Sequence, residues 1–439
     1  MTEAPATEAP ATEAPTTAVP VTTDGDEWWR PIPQGLPRDA LWILAGRGVR
    51  SFADGFVALL LPVYLLALGF DAFAIGTIVT STLVGSALLT LAAGLIAHRH
   101  SRRRMLLAAC LLMAATGAGF VLARDYWPIL IVAFVGTLNP TAGDVSLFLP
   151  LEHTALSQTI APRRRTALFA RYSLIGTFAG AVGALAASLP DLAVAWAGLP
   201  RLFCLKLMFG LYGGLGIAAL LCYRPLSPAV EAPAIETAAP TPLGPSKRIV
   251  YGLMTLFCID AFGGGFVVQS LLALWLFQSF GISVTTAAAI LFWTSLCSAA
   301  SYLAAVPISE RLGLINTMVF THLPANICLM LVPFAPNLAV AIGLLLVRSA
   351  LSQMDVPTRT SYVMAVVTPA ERPAAASITA VPRSLAAALS PLASGYLLAL
   401  TSFGWPLVIG GALKAAYDLL LLARFRRLHP PEESDRAPG

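Results

Sequence analysis

Gly69-Phe70-Asp71-Ala72-Phe73 opens a 33-residue stretch, GFDAFAIGTIVTSTLVGSALLTLAAGLIAHRHS, that ends at Ser101. A similar stretch, GISVTTAAAILFWTSLCSAASYLAAVPISERLG, runs from Gly281 to Gly313, 212 residues later. Each begins with a glycine at the end of an apolar run and continues through about two dozen apolar residues. Each closes in a short polar turn, His98-Arg99-His100-Ser101 in the first and Glu310-Arg311-Leu312-Gly313 in the second. Self-similarity at a fixed interval constrains the whole fold. Two such apolar halves facing each other in a membrane form a pathway between them.

Composition agrees. Hydrophobic residues make up 57% of the 439, charged residues 12%, and mean hydropathy is +0.76. Soluble domains carry about 25% charged residues. Lipid accommodates an apolar surface of this extent, because helices satisfy their own backbone there.

Twelve apolar stretches reach the roughly 20 residues that a crossing needs. They are 43–68, 73–97, 105–123, 127–150, 166–188, 200–223, 249–279, 285–308, 314–333, 337–357, 376–401 and 405–423. Residues 1–40 repeat Thr-Glu-Ala-Pro from Thr2, Thr7 and Thr12 and read as a disordered tail, not a signal peptide. Residues 224–248 are rich in proline and read as a linker.

Arg99, Arg102–Arg104, Arg163–Arg165, Arg224, Lys247, Arg248, Arg311, Arg372, Arg424, Arg426 and Arg427 fall on one side of the predicted spans. The other side offers Arg124 and Arg201. The asymmetry predicts that both termini and the linker are cytoplasmic. The net charge of +5 is then a topology signal, and no soluble surface remains for nucleic acid. The six cysteines fall inside spans without Cys-x-x-Cys spacing, which points to neither disulfides nor a metal.

The turn Gly94-Leu95-Ile96-Ala97-His98-Arg99-His100-Ser101-Arg102-Arg103-Arg104 resembles the signature loop of the major facilitator superfamily, Gly-x-Leu-Ala-Asp-Arg-x-Gly-Arg-Arg/Lys. His98 stands where the family has its acid, and Ser101 where it has its second glycine. Glu310, Arg311 and Gly313 keep an acid, an arginine and the glycine in the second copy. The resemblance covers about residues 40–428 and implies two bundles that alternate access to a central site. It also implies that this loop latches the halves in an outward-open state. Alternatively, Arg102–Arg104 simply hold it inside, because His98 is a weak latch at neutral pH. The Gly-x-x-x-Gly-Pro-x-x-Gly-Gly run of drug/proton antiporters is incomplete: Gly176, Gly180 and Gly183 are present, but Ala181 replaces the proline.

Ionisable residues inside a bilayer are costly and face a cavity or a partner. Asp260, Arg348, Arg383 and Asn139 lie near mid-span and form the candidate substrate or proton site, with Gly263-Gly264-Gly265 beside Asp260 as a place to unwind. An Asp260–Arg348 ion pair of purely structural role is the alternative. Arg50, Asp54, Asp144, Glu152, Arg171, Asp355 and Arg359 lie nearer the cytoplasm and form a candidate inner gate. Arg171 and Arg359 also suit snorkelling to the headgroups. Lys414 and Asp418, on a span that is peripheral in the resembled family, read as a structural pair. The histidines at 98, 100, 153, 322 and 429 form no metal or triad pattern, and no P-loop is present.

The expectation is an all-α membrane protein of twelve transmembrane helices in two pseudo-symmetric six-helix bundles, 41–223 and 249–428. The linker 224–248 joins them and a tail covers 429–439. The expected function is a monomeric, cofactor-free secondary transporter of the plasma (inner) membrane. It exports a small organic solute by proton antiport. A proton-coupled uptake symporter is the alternative, and from another class a transport-inactive sensor or scaffold. No enzymatic activity is expected.

Overall fold

The computed structural model describes residues 36–96, 100–141, 146–159, 162–231, 244, 246–368 and 371–425. Most of the N-terminal tail, much of the linker and residues 426–439 lie outside them. Among the described residues the chain is helical and contains no strand.

Helix α1 (Arg38–Ala67) begins inside the expected tail. Asp39 in its first turn complements the helix dipole and accepts from Ser227 N at 3.0 Å and Ser227 Oγ at 2.5 Å. Helices α2 (Ala72–Ile96) and α3 (Arg102–Leu122) follow. Gly69 and Gly281, the repeat glycines, both have positive φ, +90° and +58°. Side chains avoid that region, so glycine at these turns is a backbone requirement.

The expected fourth span is broken. Helix α4 (Tyr126–Val135) stops at the extended Gly136, and α5 (Phe148–Thr159) restarts beyond Pro140. Proline disfavours helix in the residue before it, here Asn139. The expected tenth span is broken at the corresponding place, into α13 (Leu338–Ser352) and α14 (Asp355–Ala365). Pro357 lacks the N–H that would close a helical bond onto the Gln353 carbonyl. Ten helices of the described residues are long and apolar enough to cross a membrane, against the twelve expected; α4 and α13 are apolar but shorter.

The remaining helices are α6 (Pro162–Ala186), α7 (Leu189–Ala197), α8 (Arg201–Tyr223), α9 (Lys247–Gly265), α10 (Gln269–Phe280), α11 (Val284–Leu312), α12 (Leu314–Leu331), α15 (Arg372–Leu400) and α16 (Trp405–Phe425). α9 ends on the triple glycine, where unwinding was expected, and α10 begins after a gap of three residues.

α1 packs on α5, α6 and α8, and α3 on α8; beyond the linker α9 packs on α15 and α16, and α12 on α13, α14 and α16. The two sets of helices meet along α2–α15, α6–α11 and α1–α10. At the α2–α15 seam a Cβ on Gly76 would lie 2.7 Å from Gly395 Cα, so the backbones touch. Phe73 and Tyr396 stack edge-on beside them, 6.2 Å apart. The apolar windows of α1 and of Lys247–Phe280 are 83% and 72% buried, the highest of the ten. Arg47, Arg50, Asp54 and Asp260, the charges inside these two spans, are buried, whereas α2 turns Leu88, Leu91 and Leu95 outward.

Candidate functional site

Two buried charge clusters lie one in each half. In the second, Asp260 on α9 accepts from Arg359 Nη1 at 2.9 Å and from Lys414 Nζ at 2.5 Å. Arg359 comes from α14, just past the break, and also lies 3.5 Å from Asp355 one turn earlier. Its guanidinium sits 5.5 Å from the centre of the Phe257 ring. His322 on α12 lies between two carboxylates: Nδ1 is 2.9 Å from Asp418 Oδ1, and Nε2 is 4.0 Å from Asp260 Oδ1. Asn326, one turn on, donates to Asp418 Oδ2 at 2.9 Å. Tyr417 packs edge-on to His322 and Phe257. Four helices thus converge on one acid. Isolated buried charge is expensive, and mutual pairing with full hydrogen bonding is what makes the arrangement tolerable.

In the first half the hub is Glu152 on α5, which is wholly buried. It accepts from Arg50 Nη2 and from the hydroxyls of Tyr172 on α6 and Tyr223 on α8. Arg50 Nε donates to Tyr223 Oη at 3.1 Å, and its guanidinium lies 3.9 Å over the Phe148 ring. Arg47 stacks 4.8 Å over Tyr172. One turn further along α1, Asp54 hydrogen-bonds the Asn139 side chain. The Asn139 carbonyl oxygen is occupied by Thr141 Oγ1 at 2.6 Å, which leaves its amide group for Asp54.

The structure thus joins Arg50 to Glu152, Asp54 to Asn139, and Arg359 to both Asp260 and Asp355. It separates other expected partners. Arg348 makes no contact with Asp260, and Arg383 lies within electrostatic range of Asp260 and Asp355 without bonding either. Arg359 and Arg171 are buried, which overturns snorkelling for both. Lys414 and Asp418 face the cluster, which overturns a peripheral role for them. Asp144, His98 and Arg99 lie outside the described residues, as does the Glu310 side chain.

At the signature loop, Ser101 caps α3, and Glu231 accepts from Ser101 Oγ at 2.5 Å, Arg102 N at 2.8 Å and Arg103 N at 3.2 Å. A carboxylate therefore sits at the α3 N-terminus, supplied from beyond α8 and not from the loop itself. Hydrogen bonds to these donors outweigh burial and hold Glu231 below the usual carboxylate range. The Arg102 and Arg103 side chains bond the Val230 and Arg224 carbonyls, within the same half. Gly94 sits in α2 with open space beside it; Arg311 closes α11, and Gly313 has φ +82°.

The sequence readings passed over Tyr172, Tyr223, His322, Asn326 and Glu231. His322-x-x-x-Asn326 and Lys414-x-x-x-Asp418 each place two polar groups on one helix face, a signal available in the sequence. No group of metal-ligating side chains occurs among the described residues.

A sequence model of the Major Facilitator Superfamily matches residues 43–264 and again 253–439. An "Uncharacterized membrane protein YJR124C" of Saccharomyces cerevisiae (strain ATCC 204508 / S288c) is 23% identical over 422 residues, covering 88% of this chain and 94% of the relative. Among solved structures, the nucleoside transporter NupG superposes with a TM-score of 0.66 at 16% identity, over 88% of this chain and 99% of its own. A bacterial homolog of the human lysosomal transporter Spinster, inward-facing and occupied, gives 0.67 at 13% identity, over 91% and 98%. At these identities the structural likeness concerns the fold.

Proposed function

The chain belongs to the major facilitator superfamily, and from that premise we propose that it exports a small organic solute in exchange for protons by alternating access. Membership makes it a multi-pass membrane transporter; direction and coupling are our own reading. The observation that carries it is Asp260, held at once by Arg359 from α14 and Lys414 from α16. Protonating His322 would put a third positive charge 4.0 Å from Asp260, in competition with the other two. Solute and proton would then compete for one rearranging set of bonds, as exchange requires. Asn139 and Arg383 face the same central region in this scheme. Arg50, Glu152, Asp355 and the undescribed Asp144 serve the inner gate.

The close approach at Gly76 and Gly395 lies at the end of the Gly69 and Gly281 turns, which the arginine asymmetry places outside. Contacts of Asp39, Glu231 and Glu371 at the opposite end stay within one half. Both features support an inward-open state, in a plasma membrane protein with cytoplasmic termini.

The test uses compounds that alter the susceptibility of an overexpressing strain, applied to vesicles that contain the purified protein and a pH dye. Outward solute movement should drive opposite proton movement. Asp260→Asn should retain downhill exchange and lose accumulation. Proton and solute moving together would replace export by symport. No movement of any such compound would leave a sensor or scaffold.

A further inference from the structure

Where α9 begins and α16 ends, an open groove of about 610 Å³ is lined by Lys247, Arg248, Tyr251, Gly252 and Arg424, and among the described residues no carboxylate lines it. The three cations are exposed and make no hydrogen bond or ion pair among the described residues. Glu371, beside the groove at Gly244, is already engaged by Gly244 N, Ser246 Oγ and Thr368 Oγ1. Gly252 keeps the floor bare: the Arg424 guanidinium carbon lies 3.7 Å from where a Cβ would stand. Positive charge here is concentrated and laid over open backbone.

The location limits what could bind. Lys247 is the first residue of the apolar helical segment Lys247–Phe280, and Phe425 is the last of Trp405–Phe425. The groove therefore lies where two membrane-length helices leave the apolar layer, at headgroup depth. One turn inward from Arg424, Leu420 is 48% exposed, so apolar surface continues from the charged end. Tyr251, 44% exposed, has the amphipathic ring favoured at that level. Guanidinium and ammonium groups bind phosphate oxygens well, and basic recesses between membrane helices take anionic lipid heads.

We propose that this groove binds the phosphate headgroup of an anionic phospholipid, with one acyl chain along Leu420. Free phosphate shares the head chemistry but has no use for the apolar extension. Such a lipid would bridge α9 and α16, the two helices that bring Asp260 to Lys414. The inference does not depend on proton exchange.

The test is the melting temperature of the full-length protein in detergent with added phosphatidylglycerol, phosphatidylcholine or inorganic phosphate. Phosphatidylglycerol should raise it by several degrees over phosphatidylcholine. The triple variant Lys247→Gln, Arg248→Gln, Arg424→Gln should melt like wild type in phosphatidylcholine and lose the rise. Gly252→Leu, which fills the groove and leaves every charge in place, should lose it too. An equal rise in wild type and both variants, or no difference between the two lipids, overturns the proposal. An equal rise with inorganic phosphate, lost in the variants, would make the site one for free phosphate and overturn the lipid assignment. If the triple variant does not fold, Gly252→Leu alone decides.

Discussion

Asp260 and Arg359, 99 residues apart in sequence, meet at 2.9 Å and fasten the helix after the second broken span to α9. Arg50 and Glu152, 102 residues apart, fasten the helix after the first broken span to α1. In the register of the sequence repeat, 212 residues apart, α1 corresponds to α9 and α5 overlaps α14. The fastening recurs with its charges exchanged: the base is on the central helix in one half and the acid in the other. In both halves a helix discontinued by proline or glycine has lost backbone bonds, and a buried ion pair seats its second segment.

Variants of Asp260 and Arg359 should be less than additive. Arg359→Leu removes one donor from Asp260 while Lys414 still pairs with it, and should destabilise by about 1–3 kcal/mol. Asp260→Asn together with Arg359→Leu should cost less than the two single variants summed. Melting temperatures of the two single variants and the double variant check this; full additivity would argue against a pairwise bond.

Glu152 is the shared acceptor of three donors, so its variants should be non-additive with theirs. Tyr223→Phe should cost about 1 kcal/mol. Glu152→Gln leaves Arg50 buried without its counter-charge and should cost several-fold more. In a double-mutant cycle Tyr223→Phe should have much less effect once Glu152→Gln is present. Full additivity would show that the hub does not act as one network.

Glu371 lies outside the membrane-spanning segments, and hydrogen bonds from Ser246 and Thr368 lower its carboxyl to about 2. A carboxyl lowered in the folded state contributes stability that is present above its unfolded value of about 4.5 and is lost as pH falls through the folded value. The contacts to Gly244 and Ser246 should therefore persist at pH 4 and fail toward pH 2. Protease susceptibility of the chain just before α9 measures this. Glu371→Gln should be susceptible already at neutral pH; a loss of protection in wild type above pH 4.5 would contradict the assignment.

Gly76 and Gly395 permit backbone contact between the halves at one end. Gly76→Val or Gly395→Val would place side-chain atoms inside that contact and should bias the protein toward opening there. Impermeant thiol labelling of single cysteines introduced near Phe73 and Tyr396 should speed up in either variant. Unchanged labelling would mean that α2 and α15 do not form the closed end.

The sequence alone determined the membrane class, the repeat and the turns. Apolar spans, their spacing and glycines such as Gly69 and Gly281 are local properties, written in consecutive residues. The breaks within the fourth and tenth predicted spans were partly legible in Gly136, Pro140 and Pro357, yet hydropathy averages over a window and runs across them. Which charge meets which was a matter for the tertiary structure. Lys414 and Asp418 share a helix face in any reading, but only the packing of α16 against α9 and α12 turns that face inward. Arg359 could have reached headgroups or core with equal ease by length. It points at Asp260 because four helices from distant parts of the chain leave their polar groups no water and only one another.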